Sequence, residues 1–303
     1  MIEPSDMFNS FLSELLEISK SGKFLEQTQK ISEYIDSLND NAVKTIVKNI
    51  GTIPENIKAS SSEEKLFSKA SDIILAKSFR LLGMDSRAIS ERGDSADIVA
   101  KSFYHGYSLV ADAKCFRLSR TAKNQKDFKV AALSDWRGAD HEHAVLVSPY
   151  FQYPKEESQI YKTALDKDVC LLSWEHISIL LEQNKKENEN FSLESIWQSS
   201  TRIARDSSFA YKNAKNCFLP KVNDFIASKL NIELSEFYKI LDTYKYVIIN
   251  RAHDEIKYCT EKLDRIRNYS KEQAISELIK ETKLEEKISV ITDYISSLGE
   301  IDE

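Results

Sequence analysis

The sequence predicts an α/β fold, a mixed central sheet flanked by helices, with helical additions at both ends of the chain. Three observations carry this. Short β-branched or apolar runs crowd the middle of the chain, helix-period stripes alternate with the later runs, and helical pattern alone fills the chain before and after them. With 303 residues, 42% hydrophobic and 30% charged, the chain is long enough to bury a large core, and few Gly and Pro interrupt it.

In chain order, Phe8, Phe11, Leu12, Leu15 and Leu16 recur at helical spacing between Ser5 and Ser19, and Gly22 offers a stop. Helical pattern continues over Phe24 to Leu38 and over Asn41 to Ile50, ended by Gly51 and Pro54. Ser60, Ser61 and Ser62 before Glu63 and Glu64 read as the cap of a helix running through Phe67, Ile73, Ile74 and Phe79 to Gly83. The period then changes. Ala96 to Phe103, Tyr107 to Phe116, Ala144 to Val147 and Val169 to Ser173 read as strands, the first two joined by a turn at His105-Gly106. Helices are expected at Thr121 to Trp136, Glu157 to Leu165 and Trp174 to Leu181. After the polar stretch Gln183 to Asn190 the pattern is helical to Leu298, with Ile275, Leu278, Leu284, Ile288, Ile291, Ile295 and Leu298 offering a face to the core or to a second subunit. The expected divisions are a helical region at 1–58, a core at 59–183 and a helical region at 184–303.

Composition excludes several classes. No apolar run is long enough to span a bilayer, and the acidic N-terminus does not read as a signal peptide, so a cytoplasmic location with no membrane partner is expected. Cys115, Cys170, Cys217 and Cys259 form no C-x-x-C pair, and His141-Glu142-His143 lacks further ligands at zinc spacing. No Walker-type phosphate loop is present. A net charge of −6 does not advertise nucleic-acid binding, but a local positive field suffices for that.

The informative segment is SADIVAKSFYHGYSLVADAKCF. Residues two apart on a strand share a face, so Asp112 and Lys114 project together, with Ala111 and Ala113 on the other side. If the strand of Asp97 lies alongside, two carboxylates converge beside an ammonium. Hard oxygen ligands suit Mg²⁺, and phosphodiester hydrolysis needs the charge neutralisation and activated water that a metal supplies. Asp97 and Asp112 are the metal ligands this predicts, with the Ala113 carbonyl a third candidate and Lys114 orienting the attacking water. Spacing alone also fits a solvated Asp-Lys pair, although the apolar run Leu109-Val110-Ala111 favours burial.

The pattern resembles the PD-(D/E)xK nucleases, and within them the HindIII-like type II restriction endonucleases. The similarity runs through EKLFSKASDIILAK, ERGDSADIVA, YSLVADAKCFRLSRTAKNQKDFKV and SPYFQYP to LLSWEHISILL, from about Ile53 to Leu181, and is weaker in the C-terminal third. Ala96 stands in place of the Pro of the PD pair and Cys115 follows the Lys directly; neither change removes a proposed ligand. The resemblance implies a restriction-endonuclease-like core at 59–183 and a Mg²⁺-dependent homodimer. It further implies recognition of AAGCTT with cleavage after the first A to leave 5′ overhangs, and a companion DNA methyltransferase protecting the same site. It carries Asp97, Asp112 and Lys114 over as catalytic residues, and places Asp127 and Lys129 at positions needed for activity.

Basic residues gather where DNA would lie. Arg117, Arg120 and Lys123 are candidate phosphate contacts, and Asn124, Gln125 and Lys126 are candidate base readers, because amides bridge adenine N6/N7 and Lys donates to guanine O6/N7. A solvated helix face is the alternative. Ser62 and Lys65, at the start of a helix, fit either a phosphate clamp or simple capping. Two rival functions stay open on the sequence, a related nuclease with another target or a repair role, and a catalytically silent DNA-binding protein.

Overall fold

Strand order in space follows strand order in the chain. In the computed structural model, which describes residues 4–89, 95–120, 125–154, 158–206, 214–282 and 284–297, the sheet comprises β1 (Met84–Ala88), β2 (Ile98–Ser102), β3 (Ser108–Ala113), β4 (His143–Ser148) and β5 (Val169–Ser173). The first three strands pair antiparallel and the last three parallel, so the sheet is mixed. Parallel neighbours need a crossover. Helices α1 (Pro4–Ser19), α2 (Phe24–Ser37), α3 (Asp40–Val47) and α4 (Ser62–Leu81) precede the sheet. The crossovers are α5 (Gln125–Phe128) with α6 (Val130–Arg137), and then α7 (Gln159–Asp166). The chain goes on through α8 (Trp174–Glu182), α9 (Glu194–Trp197), α10 (Ser199–Arg205), α11 (Ala214–Leu230), α12 (Leu234–Arg267), α13 (Lys271–Thr282) and α14 (Leu284–Ser297).

The two edges of the sheet differ in burial. Every residue of β4 and of the edge strand β5 is buried, whereas β1, the other edge, alternates buried and exposed with one covered face. Helix α4 packs on β1, β2 and β3, and α6 packs on β3, β4 and β5. The stripe of α1 (Phe8, Phe11, Leu12, Leu15) is buried in the same core as Ile31, Val43 and Ile46 of the next two helices.

Three features depart from the sequence expectation. Strand β1 was not anticipated, because Met84-Asp85-Ser86-Arg87-Ala88 is a polar edge segment that owes its conformation to pairing with β2 rather than to its own apolar pattern. The helix expected at Thr121 to Trp136 is broken at Lys129, a non-glycine residue with φ of 49°, which ends α5 and begins α6. Its first residues, 121–124, lie outside those described. The helix expected from Glu157 starts at Gln159 after the cap Ser158, and Glu157 also lies outside the described residues. The chain divides into two compact units, Met1–Ala252 and His253–Glu303. No helix of the described residues is long and apolar enough to cross a membrane.

Candidate active site

Register brings the two predicted carboxylates together. Ile98 pairs with Ala111 in the antiparallel ladder, so one step further Asp97 comes opposite Asp112. A third carboxylate arrives from α4. Asp72, Asp97 and Asp112 each offer an oxygen within 4.8 Å of the others. Asp112 is 1% exposed and Asp72 6% exposed. Lys114, two residues beyond Asp112, donates from Nζ to Asp112 Oδ2 at 2.5 Å. Asp112 and Lys114 therefore do share a face, as the strand period requires.

Burial and crowding of like charge set the electrostatics. Desolvation, followed by the fields of Asp97 and Asp112, pushes the Asp72 carboxyl well above the ordinary carboxylate range. Asp112 is also raised, chiefly by burial, with Lys114 pulling it back down and Lys129 contributing in the same sense. The neighbouring Cys115 thiol is pushed up to about 12, mainly by desolvation, so it stays neutral and adds no ligand charge. Three hard carboxylate oxygens at this spacing, two of them on buried residues, form a donor set that suits a divalent cation such as Mg²⁺.

The backbone that carries Lys114 is fastened on both sides. Its N–H donates to Val147 O at 2.7 Å, and the buried Trp174 indole donates from Nε1 to its carbonyl at 3.0 Å. Two residues on, Phe116 donates to Gly51 O and accepts from Ile53 N–H. Gly51 leaves room for this arrangement, since a Cβ there would come within 2.7 Å of Trp174 Cδ1. Ala113, the last residue of β3, is buried on the face of the strand opposite the two functional side chains.

The remaining candidates separate into groups. Asp127, on α5, accepts from Arg120 Nη2 at 2.5 Å, and the Arg120 guanidinium stands 5.4 Å from the Phe116 ring centre. Phe128 anchors this short helix against Phe116 and Tyr153. Lys129 is exposed, with Nζ 5.8 Å from the Trp136 ring centre, and its left-handed backbone is a conformation that costs a non-glycine residue about 1 kcal/mol or more. Lys126 is exposed on α5; Gln125 opens the same helix, and Lys123 and Asn124 lie outside the described residues. Arg117, a candidate phosphate contact, has its guanidinium engaged within the protein. It donates to Pro54 O at 2.8 Å and to Glu64 Oε1 at 2.7 Å, with Glu55 at 3.9 Å.

At the start of α4, capping has a clear agent: Ser61 Oγ accepts from Glu64 N–H at 3.2 Å. Ser62 and Lys65 sit exposed on the first turns, and at 1.5 Å per residue Ser62 is roughly 15 Å along the helix from Asp72. The structure does not bring this pair to the carboxylates.

Sequence reasoning missed Asp72 and the contact that Trp174 makes with the Lys114 carbonyl. A signal for Asp72 existed. Asp is almost never fully buried without a partner, yet this one stands beside Ile73 and Ile74 in the continuously buried middle of α4. Nothing local in the sequence points to the Trp174 contact.

The sequence model of the HindIII restriction endonuclease family matches residues 15–294. The type II restriction enzyme HindIII of Haemophilus influenzae is 41% identical over 291 residues, which span 96% of this chain and 96% of that enzyme.

Proposed function

Since the chain belongs to the HindIII restriction endonuclease family and is a type II site-specific deoxyribonuclease, we propose that it cuts double-stranded DNA at AAGCTT. Cleavage falls after the first A of each strand, leaves 5′ overhangs and depends on Mg²⁺. The observation that carries the chemistry is the meeting of Asp72, Asp97 and Asp112 within 4.8 Å beside Lys114. The choice of target rests on the family resemblance, above all the stretch RLSRTAKNQKDFK. A homodimer, a cytoplasmic location and a companion methyltransferase that protects the same sequence complete the proposal.

Each side chain then has a task. Asp97, just before β2, and Asp112, on β3, would hold the cation, with Asp72 completing the set from α4. When bound, Mg²⁺ supplies charge neutralisation on the phosphate and lowers the pKa of a coordinated water. Lys114 is partly open to solvent beside Asp112. Its ammonium would orient the attacking water and offset the charge that develops on the phosphate. Lys129 adds positive potential at Asp112 from the break between α5 and α6. Arg120 and Asp127 fix one another beside it and hold α5 in register. Base reading is assigned to Asn124, Gln125 and Lys126, with phosphate contacts from Arg120 and Lys123.

The test is digestion of a plasmid of known sequence with Mg²⁺, followed by sequencing of the ends. Fragments ending in 5′-AGCT overhangs at every AAGCTT are expected. Cleavage confined to another sequence would keep the nuclease and overturn the target; an intact plasmid under all divalent metals would overturn the chemistry.

A further inference from the structure

The helices after His253 expose what a folded chain normally hides. Of the seventeen exposed large hydrophobic side chains among the described residues, ten lie between Ile256 and Ile291. They follow helical spacing, as with Ile275 and Leu278 on α13 and with Ile288 and Ile291 on α14, and Leu278 and Ile288 are 64% and 63% exposed. Among the described residues from His253 onward, only Glu255 is fully buried. α13 and α14 have 12 and 14 residues, lengths at which isolated helices are marginal in water. Their stability must come from covering that apolar stripe.

We infer that a second copy of this chain covers it, so that α13 and α14 form the dimer contact of the enzyme. This rests on the reading above, in which a palindrome is cut symmetrically by a protein with one Asp72–Asp97–Asp112 cluster per chain. Area supports it. Seven of the ten lie on α13 and α14 and, each roughly half exposed, present on the order of 400–700 Å² of apolar surface, approaching the ~800 Å² per partner of a standard interface. Charge gives no support to the obvious rival, a nucleic-acid surface: from His253 to Glu303 there are 13 acidic and 8 basic residues, with no run of basic residues alone. Acids and bases are interspersed along both helices, as with Glu277 and Lys280 on α13 and Glu285 and Lys287 on α14. A face that carries both signs beside an apolar stripe is suited to meet its own copy across a two-fold axis.

The experiment compares the full-length protein with the double variant Leu278→Lys, Ile288→Lys by sedimentation across nanomolar to micromolar concentrations. The parent should sediment as a dimer at twice the chain mass of 34.7 kDa, and the variant as a monomer with its dimer dissociation constant raised at least 100-fold. A variant that dimerises like the parent overturns the face but leaves the dimer reading intact. A parent that stays monomeric alone and on an AAGCTT duplex overturns both. Hydrogen exchange of the unmodified protein decides the matter even if the variant unfolds. Amides of α13 and α14 should be protected at micromolar concentration and lose that protection on dilution. Protection that is independent of concentration would mean that the chain covers its own stripe, and would overturn the proposal.

Discussion

The acid cluster under α4 and the helices after His253 break the same rule in opposite directions. Around Asp72 and Asp112, charge is buried where apolar side chains belong; on α13 and α14, apolar side chains are exposed where charge belongs. Neither arrangement is favourable for an isolated chain. The contrast teaches what each departure is for. Carboxylates crowded together out of water call for a cation and mark chemistry, while an exposed stripe on short helices calls for a protein surface and marks assembly.

The contrast breaks first at the chemistry. Asp112→Asn or Lys114→Ala should lower single-turnover cleavage by about 10³-fold or more, since each removes an interaction worth several kcal/mol in the transition state. Binding of an AAGCTT duplex in Ca²⁺, read by fluorescence anisotropy, should stay within a few-fold of the parent. Comparable cleavage in either variant would show that the buried charge serves no catalysis.

Covered and uncovered stripes can be set side by side. Leu15→Ala, inside the α1 core, should destabilise the protein by about 2–5 kcal/mol at any protein concentration. Leu278→Ala should shift the melting temperature only where the dimer forms, because its partner surface belongs to another molecule. Equal, concentration-independent losses at the two sites would erase the distinction.

Removing a buried charge should stabilise. The Asp72 carboxyl has its pKa raised in the folded protein by burial and by Asp97 and Asp112. The folded state therefore holds a proton that the unfolded chain releases, and the penalty is absent below the ordinary carboxylate pKa and grows as pH rises through the raised value. Metal-free Asp72→Asn should accordingly be more stable than the parent by on the order of 1–3 kcal/mol at pH 8, with the difference vanishing near the ordinary carboxylate pKa of about 4. Denaturation at both pH values checks the sign.

The smallest effect concerns Arg117, whose guanidinium is 14% exposed and engaged with Glu64 and Glu55. Arg117→Ala should cost about 1–2 kcal/mol of stability while leaving the salt slope of DNA binding nearly unchanged. A fall in that slope by about one would return Arg117 to the phosphates.

Much of this was legible in the sequence because it lies in local periodicity. Strands β2 to β5 announce themselves by apolar or β-branched runs, and the i, i+2 rule alone puts Asp112 and Lys114 on one face. What was not legible depends on distant partners. β1 is a strand because β2 pairs with it, and Lys129 adopts a left-handed backbone because α5 is pinned through Phe128 to Phe116 and Tyr153. Asp72 joins the acids only once α4 is laid across the sheet. The stripes of α1 and α14 look alike as sequence; periodicity states that a face will be covered and says nothing of the cover.

The most direct measurement is a metal titration of single-turnover cleavage of an AAGCTT duplex by the parent and by Asp72→Asn. With three carboxylates sharing one cation, loss of Asp72 should raise the Mg²⁺ midpoint at least 10-fold and lower the saturating rate by about 10²-fold, since removing one ligand weakens both binding and positioning of the ion. An unchanged midpoint and an unchanged saturating rate would contradict the claim that Asp72, Asp97 and Asp112 together form the metal site.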